Sequence, residues 1–302
     1  MNQTQVFPPV CILTTTWNQI EKTIDCLNSV FALNYPHISV LLVDNGSHDN
    51  TVNIVARQFP QVKIITLAEN LGFATGYNIG LRAAIAEGFS YIFLINNDTI
   101  LEPNCLNFLV EEILSAPDIG MVTAKIYYDK DPQRIWSVGG KFNQNRLEII
   151  EKGDDQIDLG QWQVPIDIDF APLCGVLINK TLLDKIGLLD EQFFVYYEDM
   201  DFCWRTRAAN FRIRLKPEAH IWHAVSASSG GHYAPNERYW MARSSIRYFV
   251  KHAQGKQKLI VLFWRTGSAF HTTWKLLKAH NIISLKAYWR GLWQGIKDIF
   301  DD

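Results

Sequence analysis

Between residues 10 and 98 the chain alternates short apolar, β-branched runs with segments of helical spacing, and this constrains the fold more than any other feature. Val10–Thr16 reads as a strand, and Ile20–Leu33 follows with Ile20, Ile24, Leu27, Val30 and Phe31 at helical intervals. Ile38–Val43 is a second strand, a helix is expected over about Asp49–Phe59, Val62–Leu67 is a third strand, Phe73–Glu87 a helix and Tyr91–Ile95 a fourth strand. Strand–helix–strand units of this kind build a mostly parallel sheet with helices on both faces, an α/β fold. Ligands of such sheets bind beyond the carboxyl ends of the strands. Those ends carry Thr15–Asn18, Asp44–Ser47 and Asn96–Asp98, and the three polar segments should meet in one crevice.

The remainder is less regular. Residues 119–179 mix strand-like runs such as Met121–Tyr128 with polar turns, and Phe170–Asn179 is a small-residue strand. Tyr197–Ala209 reads as a helix, Phe211–Leu215 as a strand, Arg238–His252 as a helix, and 256–300 as two amphipathic helices broken near Asn281. There is no internal repeat. The 302 residues suit one large domain or two ordinary ones, and the expected division is a catalytic domain over 1–250 and a helical extension over 251–302.

Charge separates these two parts. The net charge of -2 gives no reason to expect nucleic acid as a partner. Yet residues 251–302 hold nine Lys/Arg against three acids, a net of +6, while the rest holds 20 against 28, a net of -8. The extension also carries Trp264, Trp274, Trp289 and Trp293. Basic residues mixed with Trp and Leu on amphipathic helices suit a peripheral membrane contact; the alternative is an appendix whose apolar face packs on the domain. The longest clean apolar run there, Leu259–Trp264, is far short of a span. Five scattered Cys without a CxxC pair argue against a disulfide framework and for a reducing compartment. With no signal peptide at the N-terminus, the expected location is the cytoplasm, peripheral on the inner face of the membrane.

Four clusters could carry chemistry. Asn96-Asn97-Asp98 at the end of the fourth strand suits a hard divalent cation such as Mg²⁺ or Mn²⁺, or a helix cap. Glu198-Asp199-Met200-Asp201 opens a helix after the aromatic run Phe193–Tyr197. Acids are stabilised there by the helix terminus, but an aromatic surround could also raise one toward the range of a general base. His223, between Trp222 and the small-residue run Ala224–Gly231, is a metal ligand or a satisfied imidazole. Asp44 could take a hydrogen bond from a base or ribose, or cap the following helix. Asn70-Leu71-Gly72-Phe73 with Gly76, Asn78 and Gly80 is a Gly-rich helix entry that matches neither Walker A nor GxGxxG, which removes the main support for a kinase or dehydrogenase.

Taken in order, Thr15-Thr16-Trp17-Asn18, Val43–Thr51 with its Asp-Asn-Gly-Ser core, Asn70–Gly80, Asn96-Asn97-Asp98 and Phe194–Arg205 with its Glu198-Asp199 pair resemble the family 2 inverting glycosyltransferases of the GT-A fold, especially the rhamnosyltransferase-like branch. The resemblance covers about residues 8–255. It implies that Thr15, Trp17 and Asp44 hold the nucleotide, that Asp98 binds the cation on the donor diphosphate with His223 completing the site, and that Asp199 is the general base. It further implies donor contacts from Asn78, Asn97 and Arg243, and an acceptor side near Gly175, Glu198 and Arg205. The implied reaction moves a sugar, rhamnose or another hexose, from a nucleotide-diphosphate donor to a glycan or lipid-linked acceptor. Direct displacement needs a base on one face of the anomeric carbon and neutralisation of the departing diphosphate on the other.

Three positions depart from the family pattern. Asn96 stands where a full DxD motif has its first acid, Trp17 where Tyr is commoner, and the Gln-x-x-Arg-Trp signature of processive synthases is missing, with Pro235–Tyr239 only a faint echo. The last favours transfer of one sugar or a few. A non-catalytic nucleotide-sugar-binding or scaffold protein on the same fold is the competing expectation; retention of both Asp98 and Asp199 argues against it.

Overall fold

The computed structural model describes residues 7–225 and 233–301. The opening alternation folds as β1 (Val10–Thr16), α1 (Ile20–Phe31), β2 (Ile38–Asp44), α2 (Thr51–Gln58), β3 (Lys63–Thr66), α3 (Phe73–Ala86) and β4 (Tyr91–Asn96). Continuous apolar runs form these strands because both faces of the sheet are covered. Successive side chains go to opposite layers: Ile12, Leu42 and Phe93 join Leu27, Val30 and Val55, whereas Leu13, Val43 and Leu94 join Ala74, Tyr77 and Leu81. Each such Val, Leu, Ile or Phe side chain, fully buried, stabilises the fold by about 1.5–3 kcal/mol. Helix α3 lies close on β1 because Gly80 has no side chain; a Cβ there would run into the Leu13 side chain.

The chain continues through β5 (Thr99–Leu101), α4 (Cys105–Leu114), β6 (Ile119–Tyr128), β7 (Asp131–Ser137), β8 (Gly140–Asn143), β9 (Glu148–Glu151), β10 (Ile166–Ile168), β11 (Gly175–Asn179), α5 (Lys180–Ile186), α6 (Glu198–Ala208) and β12 (Arg212–His223). The main sheet runs β10-β12-β6-β11-β4-β1-β2-β3, with β5 and β7 on its flank. Strands β3, β2, β1 and β4 are parallel, β11 is antiparallel to both neighbours, and β6 and β12 are again parallel to each other. The sheet is therefore the mostly parallel one expected, with helices on both faces.

Two expectations need correcting. The small-residue strand begins only at Gly175, not at Phe170. The strand expected to end at Leu215 runs on to His223, passing Pro217 within a register shift between Lys216 and His220. Proline has no N–H for the ladder and is tolerated at such irregularities.

The C-terminal helices are α7 (Pro235–His252), α8 (Gln257–Lys278) and α9 (Ile282–Asp301). The expected boundary at residue 250 thus falls inside α7. Helix α9 seats Gly291 and Gly295 against α7; a Cβ on Gly291 would meet the Tyr239 carbonyl, and one on Gly295 would stand 2.7 Å from that of Arg243. Among the described residues no helix is long and apolar enough to cross a membrane.

Candidate active site

A cleft of about 600 Å³ opens beyond the carboxyl ends of β1, β2 and β4. Thr15, Thr16 and Trp17 line it from β1, Asn45 from the end of β2, and Asn96, Asn97 and Asp98 from the end of β4. The three polar segments therefore meet as their strand positions require. The opposite wall comes from Phe194–Tyr196, Glu198 and Asp199, and from Trp240 on α7. Trp17 is 41% exposed where it lines the cleft. Asn45 accepts from Leu71 N (2.9 Å) and donates to Gly72 O (2.9 Å), fixing the loop before α3. Gly72 has φ +87°, and a Cβ there would stand 2.5 Å from the Phe194 carbonyl. That same carbonyl accepts from Phe73 N at 2.6 Å, so the two cleft walls are joined through a backbone contact only glycine allows.

Asp98 and His223 are brought together by the pairing of β5 with β12, which sets His223 opposite Thr99, and by Ala224 N donating to Asp98 O at 3.0 Å. The His223 Nε2 and Asp98 Oδ1 atoms face each other at 3.1 Å, yet Asp98 Oδ1 and His223 Nδ1 both lack an aligned hydrogen-bond partner. Burial alone would lower the imidazole's pKa; neighbouring Cys174 and Asp98 outweigh it and raise it to about 10. Asn96 Nδ2 lies 3.4 Å from Nε2. A buried carboxylate oxygen without a partner, 3.1 Å from an imidazole nitrogen that can coordinate a metal once it is deprotonated, suits a divalent cation. No group of three His, Cys, Asp or Glu that could hold a metal occurs among the described residues. The remaining ligands would have to come from substrate oxygens and water, a usual arrangement for Mg²⁺-type ions.

Across the cleft, α6 begins at two successive left-handed tyrosines, Tyr196 (φ +66°) and Tyr197 (φ +70°). Such backbone costs on the order of 1–3 kcal/mol per residue and clusters at functional sites. Here it turns the chain so that the first two helical residues, Glu198 and Asp199, face the cleft. Burial raises Asp199 from 3.8 to about 6, against the opposing effect of the Met200 N–H, which donates to Oδ1 at 2.7 Å. Burial, and then the neighbouring Asp199, push Glu198 well above the usual carboxylate range, and its Oε2 has no partner. One group is thus favoured as a neutral acid, while the other sits near neutrality.

Several residues expected at the site are engaged elsewhere. Asn78 is buried on α3 and braces the following segment, donating to Leu189 O (2.8 Å) and Glu191 Oε1 (2.9 Å) and accepting from Leu189 N (3.0 Å). Arg205 points away from the cleft, donating to Asp201 Oδ2 (2.7 Å), Ile186 O (2.9 Å) and Leu188 O (2.9 Å). Gly175 is a packing position, where a Cβ would stand 2.6 Å from Ile221; its neighbours Leu173 and Cys174 line the cleft instead. Arg243 is held by Asp298 of α9 at 2.6 Å, in a separate small pocket. Asp44 is 1% exposed, does not line the cleft, and accepts from Ser47 N at 3.3 Å, so it holds the turn after β2; it does not cap the following helix, whose N-cap is Asn50. Asn97 does line the cleft, but its amide donates inward to Thr16 (3.2 Å) and Thr23 (3.0 Å). Most of the run Ala224–Gly231 lies outside the described residues.

The sequence reading missed Trp136, Cys174, Phe194 and Trp240 as cleft residues. Trp136 packs edge-on against His223 with ring centroids 4.8 Å apart, and Phe194 stacks on Trp240 at 4.2 Å. Asn45 lies in the Asp44–Ser47 segment already expected in the crevice, although no role had been given to it; Trp240 needs the docking of α7, which no local pattern encodes.

Comparison with known proteins bears on the fold and the family. The poly-beta-1,6-N-acetyl-D-glucosamine synthase of Staphylococcus epidermidis is 23% identical over 279 residues, covering 85% of this chain and 57% of the relative. The chain therefore spans a little over half the length of that curated relative. Among solved structures, the mannosyltransferase PcManGT from Pyrobaculum calidifontis in complex with GDP-Man and Mn²⁺ superposes with a TM-score of 0.60 at 17% identity, covering 95% of this chain and 74% of that one. GalNAc-T7 with UDP, GalNAc and Mn²⁺ also gives 0.60, at 11% identity over 80% of this chain and 50% of that one. These likenesses establish a GT-A-type fold. Residues 11–181, more than half of the chain, match the family described as Glycosyl transferase family 2, and the chain belongs to that family.

Proposed function

We propose that the protein transfers a hexose from a nucleotide-diphosphate donor to a glycan or lipid-linked acceptor with inversion at the anomeric carbon. The observation that carries the reading is the pairing, across one cleft, of the Asp98–His223 site with an Asp199 carboxyl raised to about 6. In this reading Trp17 stacks on the nucleotide base and Thr15 lies beside it. Asp98 and His223 would hold a Mg²⁺ or Mn²⁺ ion, which when bound neutralises charge on the departing diphosphate. Asp199 takes the proton from the acceptor hydroxyl, and a pKa near the working pH is what a general base requires. Glu198, favoured in its neutral form, can donate a hydrogen bond beside it. The motif resemblance favours rhamnose as the sugar, whereas the curated relative is named for N-acetylglucosamine. Such an enzyme would work on the cytoplasmic side of a membrane, where lipid-linked acceptors are exposed.

The test is a panel of UDP-, GDP- and dTDP-sugars with Mg²⁺ or Mn²⁺, read by thermal shift and by release of nucleoside diphosphate. Asp98→Asn and His223→Ala should lose the cation-dependent shift. Asp199→Asn should keep it and lose turnover. A wild-type protein that binds a donor but never turns it over would favour the scaffold reading, and full turnover by Asp199→Asn would remove the assigned base.

A further inference from the structure

Helices α8 and α9 have apolar character on two opposite faces, and only one of them is used by the fold. On α9 the side turned to the domain consists of Ser284, Tyr288, Gly291 and Gly295, all buried. The large residues are on the other side: Ile282, Trp289, Trp293, Ile296 and Phe300 share one helical stripe and are 45–84% exposed. Helix α8 repeats the arrangement. Val261 and Leu276 are buried, while Leu259, Leu262, Phe263, Phe270 and Trp274 form a stripe 57–73% exposed. Trp289 donates to Thr273 of α8 at 3.1 Å, which ties the two stripes together. A helix that merely packs on its domain would put its large residues inward and its small ones outward. On α9 most of the large residues are instead outward, and on both helices the exposed apolar surface is of an extent that marks a contact with something else.

Charge identifies the occupant. From Lys251 to Lys297 there are nine Lys/Arg and no Asp or Glu. Lys278 lies over the Trp274 ring at 5.2 Å and Lys297 over Trp293 at 6.0 Å, so ammonium groups border the indoles of the stripe. Indoles flanked by cations, with acids confined to the C-terminal end of α9, match the boundary between acyl chains and anionic headgroups. Neither helix can span a bilayer, so the pair would lie in its surface. We infer that the outer face of α8–α9 is a docking surface for an anionic membrane. This deepens the proposed function by placing the cleft beside lipid-linked acceptors, but the surface itself does not depend on the sugar chemistry.

The experiment is flotation of the full chain with vesicles of phosphatidylcholine alone or with roughly one third phosphatidylglycerol, at about 0.1 M salt. Two variants accompany it: Phe263→Ser/Phe270→Ser/Trp293→Ser/Phe300→Ser, and Lys275→Gln/Lys278→Gln/Lys286→Gln/Lys297→Gln. Wild type should float with the anionic vesicles and remain below with the neutral ones. Each variant should lose flotation by roughly tenfold or more while melting as wild type does. Equal recovery with both vesicle types, or variants that float like wild type, would overturn the inference. So would a wild-type dimer that vesicles do not bind and that the serine variant dissociates, which would make the face a contact between copies. Donor-induced thermal shifts on the same samples keep failure of this surface distinct from failure of the proposed reaction.

Discussion

Replacing Asp199 by Asn should make the protein more stable and inactive at once. Burial raises this carboxyl from 3.8 to about 6, so its ionised form is less favourable in the folded chain than in the unfolded one by about 3 kcal/mol. Between these two values the folded state binds more protons than the unfolded state, so wild-type stability falls as pH rises through that window and stays low above it. An asparagine cannot ionise, its side-chain oxygen can still accept from Met200 N, now at 2.7 Å, and its volume is nearly the same. The variant should match wild type near pH 4 and exceed it by about 3 kcal/mol at pH 8. Urea unfolding at both pH values, followed by tryptophan fluorescence, measures the difference. Nucleoside-diphosphate release on the same samples should fall roughly 10²–10⁴-fold, the usual contribution of a positioned base. In wild type, kcat/KM should decline below about pH 6 as the base becomes protonated. A variant no more stable than wild type at pH 8, or a gap that is the same at pH 4, would refute the burial argument.

Other substitutions probe the surrounding architecture. Trp17→Ala removes an exposed indole and should raise the donor KM about tenfold with little change in kcat, the worth of one base–aromatic stack, measured by steady-state kinetics. Asp201→Asn strips the fully buried carboxylate that meets Arg205 (2.7 Å), Lys251 (2.7 Å) and His252 (2.8 Å). Leaving Arg205 and Lys251 without their counter-charge should cost about 3–5 kcal/mol by urea midpoint. Although burial opposes it, His252 and the two cations hold Asp201 well below the usual carboxylate range. Its contribution should therefore be present above about pH 4 and lost as pH falls below that. Gly291→Val puts methyl groups against the Tyr239 carbonyl; it should destabilise by about 1–3 kcal/mol and make the turn near 280 the first site of limited proteolysis.

The parallel half of the sheet was legible because its strands are continuous apolar runs and its helices amphipathic; β1 begins and ends where the residues say. The cleft followed from the strand ends. What did not follow was the direction of polar side chains. Asn78 stands four residues after Ala74 and three before Leu81, on the buried stripe of α3, so its place as an internal brace was open to helical spacing. Arg205 lies one turn beyond Asp201, an ordinary i,i+4 ion pair. The Asp298 that holds Arg243, and the β5–β12 pairing that sets His223 beside Asp98, join segments too far apart in sequence for spacing to reveal.

Helix α7 has three commitments. Trp240 near its start walls the cleft, Tyr239 and Arg243 receive the glycines of α9, and Lys251 and His252 at its end meet Asp201 of the helix that carries Asp199. Shortening the chain to residue 250 would accordingly delete two of the three partners of a buried carboxylate, Lys251 and His252, and bare the surface around Ala242. An inactive truncation would report on the alignment of the base, not on lipid. The C-terminal helices are thus a splint as well as a surface, and only changes confined to their outer stripe can tell the two apart.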